Sequence, residues 1–245
     1  MLMPLLLPII AGAASITAVA AVAYYATYAV RSQWLGPTVW RGRTDTGAVA
    51  LTFDDGPSED TERVLDVLDE YGLRATFFMT GRHVEGLPQT ARRVVAEGHE
   101  VGNHSYSHPI FLYRTPRETR QQLERAQTVI TKTTGITPRL ARPPCGVRTP
   151  AYFRAAEKLG LRTVQWDVAG FDWKPRNAKQ IAHDVLRRVV PGSIILLHDG
   201  DNEGKQDRRE TVVALPLIIE GLRARGLHVV PLAEMLRETD IEVAA

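Results

Sequence analysis

Residues Ala48 to Pro57 read AVALTFDDGP, and the reading of this stretch decides the fold. AVALTF is a short, unbroken run with β-branched and aromatic side chains, the pattern of a buried strand. The run stops on two adjacent carboxylates, Asp54 and Asp55, followed by a Gly-Pro turn. Both acids therefore stand at a strand terminus, and in parallel α/β folds ligands bind at the carboxyl ends of strands. Taken alone, the same string also describes a solvated turn whose acids cap the next helix.

Outward from this stretch the pattern repeats. RATFFMT, LRTVQWDV, SIILLH and LHVVPL are further apolar runs of strand length. Between them lie helical patterns over Glu59 to Tyr71, Gln89 to Glu97, Pro116 to Thr134, Pro150 to Leu159, Ala178 to Val190 and Arg208 to Arg225. A short final helix runs through Met235. Alternation of this kind predicts a largely parallel sheet with helices packed outside it. Periodicity does not separate an open sheet from a closed barrel.

The chain has 245 residues, 44% of them hydrophobic and 24% charged, which excludes wholesale disorder. A net charge of +2 lacks the concentrated basic field of a nucleic-acid binder. The single cysteine, Cys145, excludes an intrachain disulfide and a multi-cysteine zinc site. Residues 1–30 carry no charged side chain. That run is long enough to cross a bilayer, and Tyr24, Tyr25, Tyr28 and Trp34 cluster where a membrane–water boundary would fall. A cleaved signal peptide fits less well, because no basic residue starts it and the apolar run is too long. We therefore expect a transmembrane anchor or uncleaved signal over 1–30, a juxtamembrane stem over 31–47 and the main folded domain over 48–245. Gly36, Pro37, Gly42 and Gly47 interrupt any helix in the stem, which reaches about 50 Å at most. Arg31, Arg41 and Arg43 bias this flank toward the cytoplasm, against an exported domain.

Four more segments carry residue types suited to chemistry. HSYSH places His104 and His108 four apart, the spacing of two ligands on one helix face or tight loop. With one carboxylate they make a His₂Asp set that leaves a coordination position open, and those donors favour zinc, with cobalt or nickel as alternatives. ARPPCG puts Arg142 on a rigid segment, where Cys145 is either a ligand by residue type or a small residue whose N–H matters. ILLHDG ends a strand on His198 and Asp199, and a histidine there suits acid–base work near neutral pH. WDVAGFDWK adds Trp173, a pocket wall or ordinary loop packing.

In order and spacing, TFDDGP, HSYSH and RPPCG with their companions closely resemble the polysaccharide deacetylases of the NodB-homology type, carbohydrate esterase family 4. The resemblance covers Ala48 to about Leu236. It implies a distorted (β/α) barrel of about seven strands and a metal-dependent hydrolase that removes N-acetyl groups from an amino-sugar polymer. It further implies that Asp55, His104 and His108 hold a divalent metal. Asp54 would be the general base, oriented by Arg142, and His198 the general acid. The Cys145 N–H would serve the oxyanion, and Trp173 and Leu196 would wall the acetyl pocket. Many members carry Asp where this chain has Ala169, so the partner of His198 is missing; Asp167, of the same strand parity, is the expected substitute. The expected substrate is cell-wall peptidoglycan or a chitin-like oligomer, with the catalytic domain outside the cytoplasm. Another amide or imide substrate, or an inactive glycan-binding protein, are the competing readings.

Overall fold

The computed structural model describes residues 18–204 and 206–237. Its centre is β1 (Ala48–Asp54), all seven residues of which are buried. β2 (Thr76–Met79), β3 (Glu100–Asn103), β4 (Leu140–Ala141) and β5 (Arg162–Thr163) extend the sheet on one side of β1. β7 (Ile194–His198) and then β6 (Val168–Ala169) extend it on the other, and β8 (His228–Val229) adds a short pairing to the start of β1. Every pairing between these strands is parallel. The expected distorted barrel is thus seen as a curved path of seven strands, with no pairing among the described residues between its two end strands, β5 and β6.

Residues 39–41 cross that seam. Val39 pairs with Val164, Arg41 pairs with Ser193, and Arg41 Nε donates to Asp167 Oδ2 at 2.8 Å. The stretch expected as a stem is therefore bonded to the barrel along part of its length.

Strand alternation sorts β1 into two faces. Val49, Leu51 and Phe53 belong to the large cluster under the outer helices, with Ile195 and Leu197 of β7. Ala48 and Ala50 join the inner cluster with Phe78, Leu140, Ile194 and Met235. Thr52 and Asp54 share the parity of Ala50, so they point inward at the end of the barrel. In register, Asp54 lies opposite His198 across the β1–β7 pairing. That single pairing brings two of the expected functional residues together.

The helices follow their caps. Residues 18–28 form α1. α2 (Glu59–Glu70) starts on a Ser58 capping box with Thr61. α3 (Gly81–Gly86) and α4 (Pro88–Ala96) follow β2. α5 (Pro116–Thr134) runs from a Thr115–Glu118 capping box to Gly135, whose φ of 77° suits glycine. α6 (Pro150–Lys158), α7 (Ala178–Leu186), α8 (Arg209–Arg223) and α9 (Leu232–Arg237) complete the set.

Two strand expectations change. LRTVQWDV is two strands, because β5 pairs with β4 while β6 pairs with β7 on the other side of the seam. EVGN, with a charge and a glycine among four residues, is β3; a Cβ on Gly102 would meet the Phe78 ring at 2.4 Å. The helix expected to reach Val190 stops at Leu186. Among the described residues no helix is long and apolar enough to cross a membrane. Residues 1–17 of the expected span lie outside the described residues.

Candidate active site

Asp54 is held by a buried cation. Arg142, 0% exposed, donates through Nη1 to Asp54 Oδ1 at 2.7 Å and to Thr52 Oγ1 at 2.8 Å. Its Nη2 donates to the Gln165 carbonyl at 3.0 Å, and its Cζ lies 4.2 Å from the centre of the Phe78 ring. Burial pulls the guanidinium below its ordinary pKa against the opposing charge of Asp54. A desolvated cation with one carboxylate in hydrogen-bond range fixes the direction of that carboxylate.

Asp55, the next residue, turns away into a cluster with His104 and His108. The ligand atoms of the three lie within 4.8 Å of one another. The two Nε2 atoms stand 3.4 and 3.2 Å from Asp55 Oδ1, which is buried with no hydrogen-bond donor. A buried, unpartnered carboxylate oxygen facing two imidazole nitrogens fits a divalent cation. The donor set suits zinc and equally cobalt or nickel. Burial opposes ionisation of Asp55, but the flanking imidazoles hold its carboxyl well below the usual range. Burial and His104 push His108 down to about 4, so it is neutral and able to act as a ligand at neutral pH. His104 is pushed up, against its burial, by Asp54 and Asp55. The carboxylates that favour a proton there favour a metal cation equally.

The backbone aims these ligands. His104 Nδ1 contacts the Arg142 carbonyl at 2.7 Å, which leaves Nε2 for the cluster. Asn103 Oδ1 accepts from the Ser105 N–H at 2.9 Å, and Ser105 Oγ accepts from the His108 N–H at 3.1 Å. Gln122 Oε1 accepts from the N–H groups of Tyr106 and Ser107. His83 Nδ1 meets the Asp55 carbonyl at 2.6 Å. Among the described residues, the non-glycine positions with positive φ are Asp55, Ser105, His108, Cys145 and Phe171. All five lie in the segments that build this site, where surrounding contacts maintain uncommon backbone conformations.

His198 has a carboxylate partner, and it is Asp172. Nδ1 lies 2.8 Å from Asp172 Oδ1, and the His198 N–H donates to Oδ2 at 2.7 Å. Against strong burial, Asp172 pushes the imidazole up to about 9. Asp172 is itself fixed by Thr211 Oγ1 at 2.9 Å. Asp167, the expected substitute, faces elsewhere: it binds Arg41, Ser193 Oγ at 3.0 Å and the Ile194 N–H at 2.8 Å. The parity argument fails because β6 begins only at Val168. Asp199 is not the partner either. Its carboxylate accepts from Thr61 Oγ1 at 2.6 Å and the Gly56 N–H at 3.2 Å, and burial pushes it up to about 7.

These groups open into one cavity of about 420 Å³. Asp54, Asp55, His104, His108, Cys145, Trp173, Leu196 and His198 all line it, together with Trp166, Asp201, Asn202, Gln206 and Arg208. Trp173 packs edge-on against His198, with ring centres 5.3 Å apart. Every site residue expected from sequence except Arg142, which acts from behind Asp54, faces this space. The additions are Asp172, His83 and Asn103, which support the lining residues from behind.

The family profile of polysaccharide deacetylase matches residues 41–164. A chitooligosaccharide deacetylase of Bradyrhizobium sp. (strain ANU 289) is 38% identical over 199 residues, covering 78% of this chain and 91% of that protein. The crystal structure of the Bc1960 peptidoglycan N-acetylglucosamine deacetylase superposes with a TM-score of 0.76 at 35% identity, over 81% of this chain and 92% of that one. BA3943, described as a pseudoenzyme from Bacillus anthracis, superposes with a TM-score of 0.74 at 30% identity, over 82% and 69% of the two chains.

Proposed function

We infer the reaction from one premise: the chain belongs to the polysaccharide deacetylase family. It is an N-deacetylase, a hydrolase of N-acetyl amides. We assign it to N-acetylated amino-sugar polymers, with peptidoglycan as the first candidate and a chitin-like oligomer as the second. Both substrate classes occur among its relatives. The observation that carries the reading is the register pair Asp54–His198, each member with its own fixed counter-charge, beside the Asp55–His104–His108 cluster.

An amide is a weak electrophile with a poor leaving group, so hydrolysis needs aid at three atoms. Asp55, His104 and His108 would hold a divalent metal, which when bound lowers the pKa of water and polarises the acetyl carbonyl. Asp54 takes the proton from the attacking water, and Arg142 keeps it aimed. The Cys145 N–H donates to the oxygen on which charge develops. His198, protonated through Asp172, gives its proton to the departing sugar nitrogen. Trp173 and Leu196 provide apolar wall for the acetyl methyl.

The pseudoenzyme relative makes an inactive glycan-binding reading concrete. Against it stand the complete base, metal-ligand and acid sets, since binding a sugar requires none of these pairings. We also propose that the uncharged residues 1–30 anchor the protein in a membrane with the catalytic domain outside the cytoplasm. An alkaline phosphatase fusion after Ala245 tests the orientation, and activity only for a cytoplasmic reporter would remove the cell-wall substrate.

The reaction is tested by acetate release from N-acetylglucosamine oligomers and from peptidoglycan fragments. Asp54→Asn should lose turnover by on the order of 10²–10⁴-fold while retaining metal. Equal turnover in Asp54→Asn would overturn the assignment of the base.

A further inference from the structure

Arg148 lies three residues beyond Cys145 on the same irregular segment and is 1% exposed. Among the described residues no carboxylate pairs with it. Its guanidinium donates only to backbone carbonyls. Nη2 reaches Ala29 O at 2.5 Å and Thr27 O at 3.4 Å, and Nη1 reaches Val30 O at 3.4 Å and Ser32 O at 3.5 Å. The Arg148 N–H adds a bond to Thr27 O at 3.2 Å. These carbonyls belong to the end of α1 and the turn after it. The last carbonyls of a helix have no partner within it, and they form the negative end of its dipole. Arg148 is thus a C-terminal cap for α1, delivered from the far side of the sequence.

A buried cation facing only neutral acceptors is expensive unless every partner stays in place. Holding α1 and holding the segment that carries Arg148 are therefore one event.

That segment is the turn that carries the Cys145 amide. Cys145 and Gly146 have φ of 54° and 68°. On its inner side the turn is tied by Gln165 Nε2, which donates to the Gly146 carbonyl at 2.8 Å. On its outer side the tie is Arg148. A non-glycine residue at positive φ persists only where the surroundings over-determine it, and these are the ties on the two sides of the turn.

We propose that α1 is a working part of the catalytic domain, and that Arg148 is a positioning residue for deacetylation. By gripping the end of α1, it holds the Pro143–Arg148 turn so that the Cys145 N–H is presented to the reacting carbonyl. The proposal rests on the reading of Cys145 as the oxyanion donor. It assigns to residues 18–32 a role in turnover that a passive tether does not have.

The test uses the full chain as wild type, Arg148→Ala and Arg148→Lys. The lysine keeps the charge but cannot span four carbonyls with a planar fork. Complete loss of one oxyanion donor lowers kcat by on the order of 10²–10³-fold, so a displaced donor should lower kcat by about 5- to 100-fold. Metal content should stay within about twofold, because Asp55, His104 and His108 lie on other segments, and KM should change less than kcat, because Cys145 and Gly146 are the turn's whole share of the cavity lining. In the same variants, hydrogen exchange should accelerate together over residues 27–32 and 143–147. Accelerated exchange over 27–32 with kcat within twofold of wild type would overturn the proposal and leave the clamp a structural contact. A fall in kcat accompanied by loss of metal would overturn it as well. If Arg148→Ala does not fold, Arg148→Lys carries the same readouts. If the wild type shows no deacetylation, the functional reading has failed separately. Exchange then decides the clamp, with joint loosening supporting it and an unperturbed 143–147 turn refuting it.

Discussion

Replacing Asp172 by Asn removes the charge that sets the protonation of His198 and leaves an acceptor of the same shape. The imidazole stands at about 9 in the intact protein, against an ordinary value of 6.5, and burial alone pulls in the opposite direction. Without the carboxylate, burial is opposed only by the smaller pull of Asp55 and Asp54, and the ring should titrate near its ordinary 6.5. As a general acid, His198 acts only when protonated, so its contribution is complete below its pKa and is lost as pH rises through it. At pH 8 the protonated fraction falls from about 0.9 to about 0.03 when the pKa drops from about 9 to 6.5, a loss of about 30-fold in kcat. At pH 5.5 both forms are largely protonated and the variants should converge, apart from any loss of ring orientation. The assay is the pH dependence of kcat from pH 5 to 10 for wild type and Asp172→Asn. The alkaline limb should move from about pH 9 toward pH 6.5. An alkaline limb that stays in place would refute either the pairing or the acid role of His198.

Three further outcomes follow from the geometry. Ala substitution of His104 or His108 should lower metal content and turnover together, read by metal analysis of the purified variants. Ala169→Asp should leave the alkaline limb where it is, because Asp172 already holds His198; a buried carboxylate at this 5%-exposed site should instead lower stability in urea. Arg142→Ala leaves Asp54 as an unpaired buried charge and should cost about 3–5 kcal/mol in urea unfolding. An unchanged midpoint would mean that Asp54 is solvated or protonated without its partner.

The legible parts of the molecule were those with local signals. AVALTF is a strand because its apolar run is uninterrupted, and α5 keeps its expected limits because Thr115, Glu118 and Gly135 mark both ends. The acids at the end of β1, the two histidines, the cysteine and His198 do line one cavity. What escaped was set by distant contacts. Glu100 and Gly102 break the apolar pattern of β3, yet Gly102 is what allows the Phe78 ring to lie against that strand. The split of residues 161–168 depends on which edge of the barrel each half meets. Asp172 sits in a loop, where side-chain parity has no meaning, so nothing local pointed it at His198. His83 is one of several polar residues in a six-residue helix, and only the fold brings its ring to the Asp55 carbonyl. Residues 39–41 and Arg148 show the same limit, since their partners lie more than 100 positions away.

The central claim is that this cavity removes N-acetyl groups with the help of a cation at Asp55, His104 and His108. The most direct test is mass spectrometry of N-acetylglucosamine oligomers and peptidoglycan fragments incubated with the full chain, once metal-stripped and once reloaded with zinc, cobalt or nickel. Reloaded protein should yield products that have lost acetyl groups with the glycan length unchanged, and stripped protein should yield none. Equal acetyl loss from the stripped protein, or none after reloading with any of the three metals, would contradict the account.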